Sequence, residues 1–460
     1  MTIRKAIALA VALSVSACST TSPMLKPAVD APAGWNEGAQ GGARVADGWW
    51  ASFGSAELRA LVDQALAGSP DLAIATERVR QAEAQVRVAG ASLFPTINLG
   101  LGTSSRQSDD GRKSSTSNAS STTLSASYEI DLWGKNRSEV RGAESSLQAT
   151  TYDRDAARLT LIAGVATSYF EVLSLRSRLG VARENLSIAE RVRDLVAARV
   201  RNGAAGQLDL SRQEAAVLSQ RAALMPLEQQ ERQTLAALAV LIGKVPEGFE
   251  VKATGVADLS VPEINPGLPV ELLVRRPDLA SAESQLAAAN ANVAVARAAL
   301  LPSIQLTGSA GLASGALLSF LGGGTSAVGI ALSLLQPIFD GGRLRGQVSI
   351  SQSREREIVE NYRKVILAAL KDVEDALVAT SRQAQQETLQ VEVQAQAREA
   401  LRLAEVRYRE GADDLLTVLD AQRTLFSAQD QLAQIRLNRL EAAVSLYKAL
   451  GGGWNGGSAS

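Results

Sequence analysis

The sequence predicts a mainly α-helical chain with a small β part, built as two copies of one pattern. Three observations carry this expectation. Pro70-Asp71-Leu72-Ala73 recurs as Pro277-Asp278-Leu279-Ala280, an offset of 207. Two long stretches, Asn136–Arg201 and Arg343–Arg409, run without a proline and are rich in Ala, Leu, Glu, Arg and Ser. Between each duplicated segment and each long stretch, apolar residues fall at every second position instead of at helical spacing.

Composition narrows the function classes before any motif is weighed. Of 460 residues, 46% are apolar but only 4% aromatic. That balance suits long helices meeting along thin, small-residue seams better than thick cores. Lys plus Arg (47) and Asp plus Glu (48) leave a net charge of −1, which makes no electrostatic case for nucleic acid. Histidine is absent and Cys18 is the single cysteine, which excludes imidazole bases, His-ligated metals, Ser/His or Cys/His pairs and internal disulfides. Gly322-Gly323-Gly324 lacks the Gly-Lys-Ser/Thr that completes a phosphate loop, and no spacing of acids reads as a metal site. The expectation is a protein with no catalytic residue, no metal and no cofactor.

Residues 1–17 read as an export signal, because Arg4 and Lys5 precede an apolar run, Ala6 to Val15, too short to span a bilayer. Val15-Ser16-Ala17-Cys18 resembles the lipobox of bacterial lipoproteins. The resemblance implies cleavage before Cys18, acylation of its thiol and, with Ser19 next, transit to the outer membrane. Acyl chains contribute about 0.8 kcal/mol per buried methylene and anchor without spanning. Residues 18–56 then form a lipidated, extended N-terminal segment.

The two repeats are assigned to 57–243 and 269–451, separated by a linker at 244–268 that holds Pro246, Pro262 and Pro266, and followed by a tail at 452–460. The offset of 207 carries Pro95 to Pro302 and Ile97 to Ile304, and an offset of 208 carries Gly203 to Gly411 and Leu208 to Leu416. Each copy reads as helix, two strands and two long helices. Ile97, Leu99 and Leu101 alternate with Asn98, Gly100 and Gly102, and Leu124, Ala126, Tyr128, Ile130 and Leu132 with Ser125, Ser127, Glu129 and Asp131. Ile304, Leu306 and Ala310, then Val328, Ile330, Leu332 and Leu334, repeat the pattern. Loops of small and polar residues are expected at Ser104–Thr122 and Ala313–Ser326. Four strands with one apolar face cannot close on themselves. Either the sheet packs on helices in water, or several chains pool strands in a barrel whose apolar face meets lipid. Phe94, Trp133 and Phe339 sit just outside the strand ends, where an interfacial girdle belongs.

Each proline-free stretch should be one helix of roughly 100 Å, at about 1.5 Å per residue. Ile358, Val359, Tyr362, Val365 and Ile366 mark the apolar stripe of the second. Glycine turns follow at Arg201-Asn202-Gly203 and Arg409-Glu410-Gly411, and return helices lead to Gly243 and Gly451. Pro226 should bend or interrupt the first return helix. Such hairpins fit either a solid coiled-coil rod or the wall of a hollow column, and helical periodicity does not separate the two.

The lipobox, the duplicated Pro-Asp-Leu-Ala segments, Tyr128-Glu129-Ile130-Asp131-Leu132-Trp133-Gly134-Lys135, Gln336-Pro337-Ile338-Phe339-Asp340-Gly341-Gly342-Arg343, and Arg407-Tyr408-Arg409-Glu410-Gly411 followed by Leu419-Asp420-Ala421-Gln422-Arg423 form one set. Together they resemble the outer-membrane channel lipoproteins of the TolC family, in the NodT-like branch that serves resistance-nodulation-division efflux pumps. The resemblance implies a homotrimer embedded in outer-membrane lipid, with four strands per chain in a twelve-stranded transmembrane β-barrel. Long antiparallel helical hairpins would form an α-barrel tunnel across the periplasm. A periplasmic adaptor protein and an inner-membrane efflux pump are the implied partners, and drugs or other small toxic compounds the implied cargo, conducted passively.

By the same resemblance, Tyr408, Leu416 and Asp420 match a gate at the periplasmic tips, Leu416 as an apolar constriction and Asp420 as a ring of three carboxylates. The plain alternative for Asp420 is a solvated helix face. Thr417 stands where some relatives carry another acid. Adaptor contacts are implied at Arg201, Asn202, Gly203, Arg409, Glu410 and Gly411, although Gly203 and Gly411 also suit a turn for backbone reasons alone. Val200 replaces the tyrosine found at Tyr408. Two further readings stay open: the exit duct of a protein-secretion system, and a lipid-anchored coiled-coil scaffold.

Overall fold

Residues 23–25, 32, 34–37, 45–109, 111, 114–256, 259–269, 272, 275–314 and 325–456 are described by the structure, a computed structural model. The export signal, Cys18 and Gly322–Gly324 lie outside the described residues. A 3-10 turn at Trp49–Phe53, within the segment expected to be extended, leads into α1 (Ala56–Gly68) and α2 (Pro70–Gly90). Strands β1 (Thr96–Asp109) and β2 (Ser114–Glu129) and helices α3 (Lys135–Arg201) and α4 (Gln207–Leu241) complete the first half. The second half runs α5 (Pro277–Ala298), β3 (Ser303–Ser314), β4 (Thr325–Leu335), α6 (Arg343–Arg409) and α7 (Leu415–Ala449). Helices α3 and α6 have 67 residues each, and α4 and α7 have 35 each.

One expectation is corrected, and a second keeps only one of its two alternatives. Most of the predicted loop at Ser104–Thr122 is strand, since pairing continues from Thr96 opposite Ser127 to Asp109 opposite Ser114. The apolar alternation stops near Leu101, but a backbone ladder needs only its own donors and acceptors, and Ser and Thr tolerate extended backbone well. Helix α4 also runs through Pro226 without interruption. The missing N–H removes one helical hydrogen bond, yet Leu224 and Leu227 on either side are buried against Leu175, Leu179 and Ala182 of α3 and keep the helix in place.

The chain divides into two compact units. One contains Arg78–Thr151 and Ser281–Arg363 and holds the sheet, an antiparallel β1-β2-β3-β4 meander. Its helix starts are built twice in the same way. Asp131 accepts from the backbone N–H of Asn136 and Arg137 at the head of α3, and Asp340 from those of Gly342 and Leu344 at the head of α6. Trp133 donates from Nε1 to the Pro302 carbonyl at 2.7 Å, tying the first repeat to the start of β3.

The other unit contains Val29–Glu77, Tyr152–Ala280 and Lys364–Ser460. Few as they are, the aromatics concentrate here: Trp49, Trp50, Phe53, Tyr169, Phe170 and Tyr447 share one buried cluster, so this unit has a thick core where composition suggested only thin seams. The linker is irregular but fastened. Glu57 accepts from the N–H groups of Lys252 and Ala253, and Arg176 donates to the carbonyls of Val251 and Ala253. Gly243 and Gly451 end α4 and α7 at positive φ, 75° and 86°. A β-carbon on either would stand 2.0 Å from a carbonyl oxygen, that of Gly68 or Arg275, so backbone contact as well as conformation requires glycine at both.

Candidate functional site

The sheet presents two chemically different faces. Leu99, Leu124, Ala310 and Val328 lie side by side across all four strands, and because side chains alternate, every apolar residue of the pattern falls on that face. Ile97, Leu99 and Leu101 on β1 and Val328, Ile330, Leu332 and Leu334 on β4 are 67–82% exposed, so among the described residues no helix covers them. Ser125, Ser127, Thr307, Ser309 and Ser333 belong to the opposite, hydroxyl-rich face. Phe94 and Phe339 stand exposed at the strand ends as expected of a girdle, whereas Trp133 is half-buried. Such an apolar area fits a hydrocarbon solvent, and the free edges of β1 and β4 call for further strands.

At the far ends of α3 and α6 the chain turns by the same device. Gly203 and Gly411 adopt φ of 71° and 79°. The N–H groups of Ala204 and Ala412 reach back to the carbonyls of Arg199 and Arg407 at 2.8 Å, closing Schellman caps. Asp414 caps α7 by accepting from the Thr417 N–H at 3.1 Å, and Asp413 pairs with Arg407 at 2.7 Å. Arg201, Asn202, Gly203, Arg409, Glu410 and Gly411 are all exposed.

The three predicted gate residues separate. Tyr408 is buried among Val192, Val196, Leu401, Leu415 and Val418. The Arg199 guanidinium stacks 4.5 Å from its ring centroid and donates to its carbonyl oxygen, so α3 and α6 are clasped at their ends. The Tyr408 hydroxyl itself has no hydrogen-bond partner, and burial pushes its pKa above the ordinary phenol value despite the Arg199 charge. Leu416, 52% exposed, and Asp420 lie four residues apart on the solvent-facing side of α7. Asp420 accepts from Arg423 at 2.8 Å, an exposed pair of small energetic weight that nonetheless places a cation beside the predicted carboxylate ring.

Fastenings between helices were not foreseen. Arg178 of α3 holds both oxygens of Asp430 on α7 at 2.7 and 3.2 Å. Glu387 of α6 accepts from Arg439 and Arg436 of α7 at 2.7 and 3.0 Å. Burial opposes the Glu387 charge, but the two guanidiniums outweigh it and hold its pKa below the ordinary value. Arg199, too, was missed. Its signal was only a basic residue in the last helical turn, which surface helices share. Among the described residues no group of three or more acids or cysteines is placed to hold a metal.

Comparison with known proteins supplies an independent view. A profile of the family described as "Outer membrane efflux protein" matches residues 61–244 and 268–452. Over 453 residues the chain is 44% identical to the pyoverdine export outer membrane protein OpmQ of Pseudomonas aeruginosa, covering 96% of this chain and 95% of that protein. It is 31% identical to the cation efflux system protein CusC of Escherichia coli, over 98% and 99% of the two chains. The crystal structure of the Campylobacter jejuni CmeC outer membrane channel matches with a TM-score of 0.90 at 26% identity, over 96% of each chain.

Proposed function

Because this chain belongs to the outer membrane efflux protein family, we propose that it works as a homotrimeric exit duct, joined below by a periplasmic adaptor and an inner-membrane pump. It is an outer-membrane efflux channel, TolC-like in fold, that extends into the periplasm. The observation that carries the trimer is the four-stranded sheet with an apolar face and two open edges. One chain cannot close. Two would make an eight-stranded barrel, whose bore side chains fill, and three would make twelve strands around a passage lined by Ser, Thr and Gly. Acylation at Cys18 would add an anchor beside the barrel.

A passive duct needs no catalytic group, and no chemical step is assigned to it. Leu416 and Asp420, sharing the exposed face of α7, are the residues to narrow and charge the bore at the tips. Tyr408 acts differently from its two companions: buried and clasped by Arg199, it holds the tips together from within the protomer. The exposed turns at Arg201–Gly203 and Arg409–Gly411 are the adaptor contacts. The likeness to a pyoverdine exporter makes pyoverdine the first cargo to test, with drugs next. Deleting the gene, then measuring secreted pyoverdine and susceptibility to drugs, dyes and metals, tests the function. A deletion strain unchanged in all of these refutes an efflux role in that cell, and a protein that stays solitary in detergent refutes the trimer.

A further inference from the structure

Within the unit that holds the tips, the long helices of one protomer stand in a row. Helix α3 is joined to α4 by the pairs Arg183–Glu228 and Arg221–Glu190 at 3.6 and 3.1 Å, and to α7 by Arg178 and Asp430 at 2.7 Å. Helix α7 is joined to α6 by the two arginines on Glu387 and by Gln390, which donates to the Ala428 carbonyl at 3.1 Å. The row runs α4-α3-α7-α6, crossed at the tips by the Arg199–Tyr408 clasp. Helices α4 and α6 are its outer members. Val217, Leu224 and Leu227 bury one side of α4, and Ala397, Leu401 and Ala404 one side of α6.

Each outer helix carries a second seam on a side left uncovered. On α4, Leu208, Ser211, Ala215, Leu218, Ala222 and Met225 recur at alternating intervals of three and four residues. On α6, Leu389, Val393, Gln396, Ala400 and Leu403 do the same. That alternation is the period by which helices pair side by side, and the alanines let two backbones approach closely. Every residue of both seams is exposed, and the large apolar ones are 46–64% exposed. None is charged. The charges lie on other sides of the same helices, at Arg212, Glu214 and Arg221 on α4 and at Glu392, Arg398 and Glu399 on α6. A helix side that faces water carries charged and polar residues, so two charge-free seams of this length call for a cover.

The seams fit each other. At about 1.5 Å per residue they extend over about 26 Å on α4 and about 21 Å on α6. Both start beside the tips, at the second residue of α4 and six residues before the end of α6. One helix leaves the tip and the other approaches it, so side by side they run antiparallel. We infer that the α4 seam of one copy packs against the α6 seam of a second copy of this chain, with Leu218 beside Ala400, about 16 and 14 Å from the tips. Unlike faces at opposite ends of one row make a head-to-tail contact, which repeats from copy to copy until a ring closes. A different protein would have no need of two matched seams on one chain. The contact rests on the homotrimeric reading above and names the helix faces that would meet in it.

Cysteine cross-linking of the full chain in its membrane tests the contact, with the mass of the detergent-purified particle measured alongside. Cys18 is the single native cysteine, so the unmodified chain reports its background. A chain carrying both Leu218→Cys and Ala400→Cys should give, on oxidation, a ladder on denaturing gels that ends at three chains. Either substitution alone should give none, because the faces that meet are unlike. Pairing Leu218→Cys with Arg398→Cys, two residues from Ala400 on the other side of α6, should lose the ladder. All three positions are exposed in the protomer, so the chain keeps its core. Leu218→Glu should fold with unchanged helix content and lose trimer. A particle of trimer mass with no ladder from the first pair, equal ladders from both pairs, or a link from Leu218→Cys to itself or to a different protein overturns this contact and leaves the trimer standing. A Leu218→Glu chain that assembles like wild type overturns it as well. A solitary wild-type chain overturns both.

Discussion

Removing the guanidinium of Arg199 should release the tip of α3 from the tip of α6. Arg199 makes two contacts with one residue, stacking 4.5 Å from the Tyr408 ring and donating to the Tyr408 carbonyl. A stacked cation contributes about 0.5–2 kcal/mol, and a charge-assisted hydrogen bond about 1.5–3 kcal/mol. Both come from one side chain and overlap, so Arg199→Ala should weaken the clasp by about 2–3 kcal/mol per protomer. That is about a 30- to 150-fold shift toward the unclasped arrangement. Single-channel recording in planar bilayers reads it as a larger open fraction. Arg199→Lys should fall between, because an ammonium keeps the charge without the flat fork. Tyr408→Phe is the decisive control: the hydroxyl has no partner, so its removal should change the open fraction little. If Tyr408→Phe opens the channel as far as Arg199→Ala, or if Arg199→Ala leaves the currents of wild type, the clasp is not what holds the tips.

Three further outcomes follow from the same geometry. Ile330→Arg, on the exposed apolar face of β4, should cost about 2–4 kcal/mol per chain at bilayer mid-depth and reduce assembled protein in the outer membrane; Ala331→Arg, one residue on and facing the other way, should assemble and change ion preference instead. Gly451→Ala should lower thermal stability more than Gly411→Ala. Both pay about 1–2 kcal/mol for a left-handed backbone, but only at Gly451 does the new β-carbon meet a carbonyl oxygen, whereas nothing lies within 4 Å at Gly411. Asp420→Ala should reduce the cation preference of the channel and Arg423→Ala should increase it, since the two side chains pair; indistinguishable ion selectivity in all three proteins removes Asp420 from the bore.

The candidate site was legible in proportion to how far backbone and pattern express it. Gly203 and Gly411, and Gly243 and Gly451, could be picked out because a positive φ restricts residue type and the duplication displays each restriction twice, whereas Asp131, read as part of the strand pattern, lies beyond β2 and caps α3. The strand length was underestimated because Ser and Thr extend a ladder without adding apolar alternation. Pro226 does not interrupt its helix because local propensity yields to the Leu224 and Leu227 contacts around it.

From the sequence alone came the duplication, the long helices, the amphipathic strand pairs and the absence of imidazole and thiol chemistry, all of which depend on periodicity and composition along the chain. Only the tertiary structure decided that Tyr408 turns inward against Arg199 while Leu416 and Asp420 remain exposed, and that Glu387 is bracketed by two arginines. The physical reason is separation. Helical period states which side of its own helix a residue occupies, but a charge acquires its partner from another helix tens or hundreds of residues away, at an azimuth and height that packing alone sets.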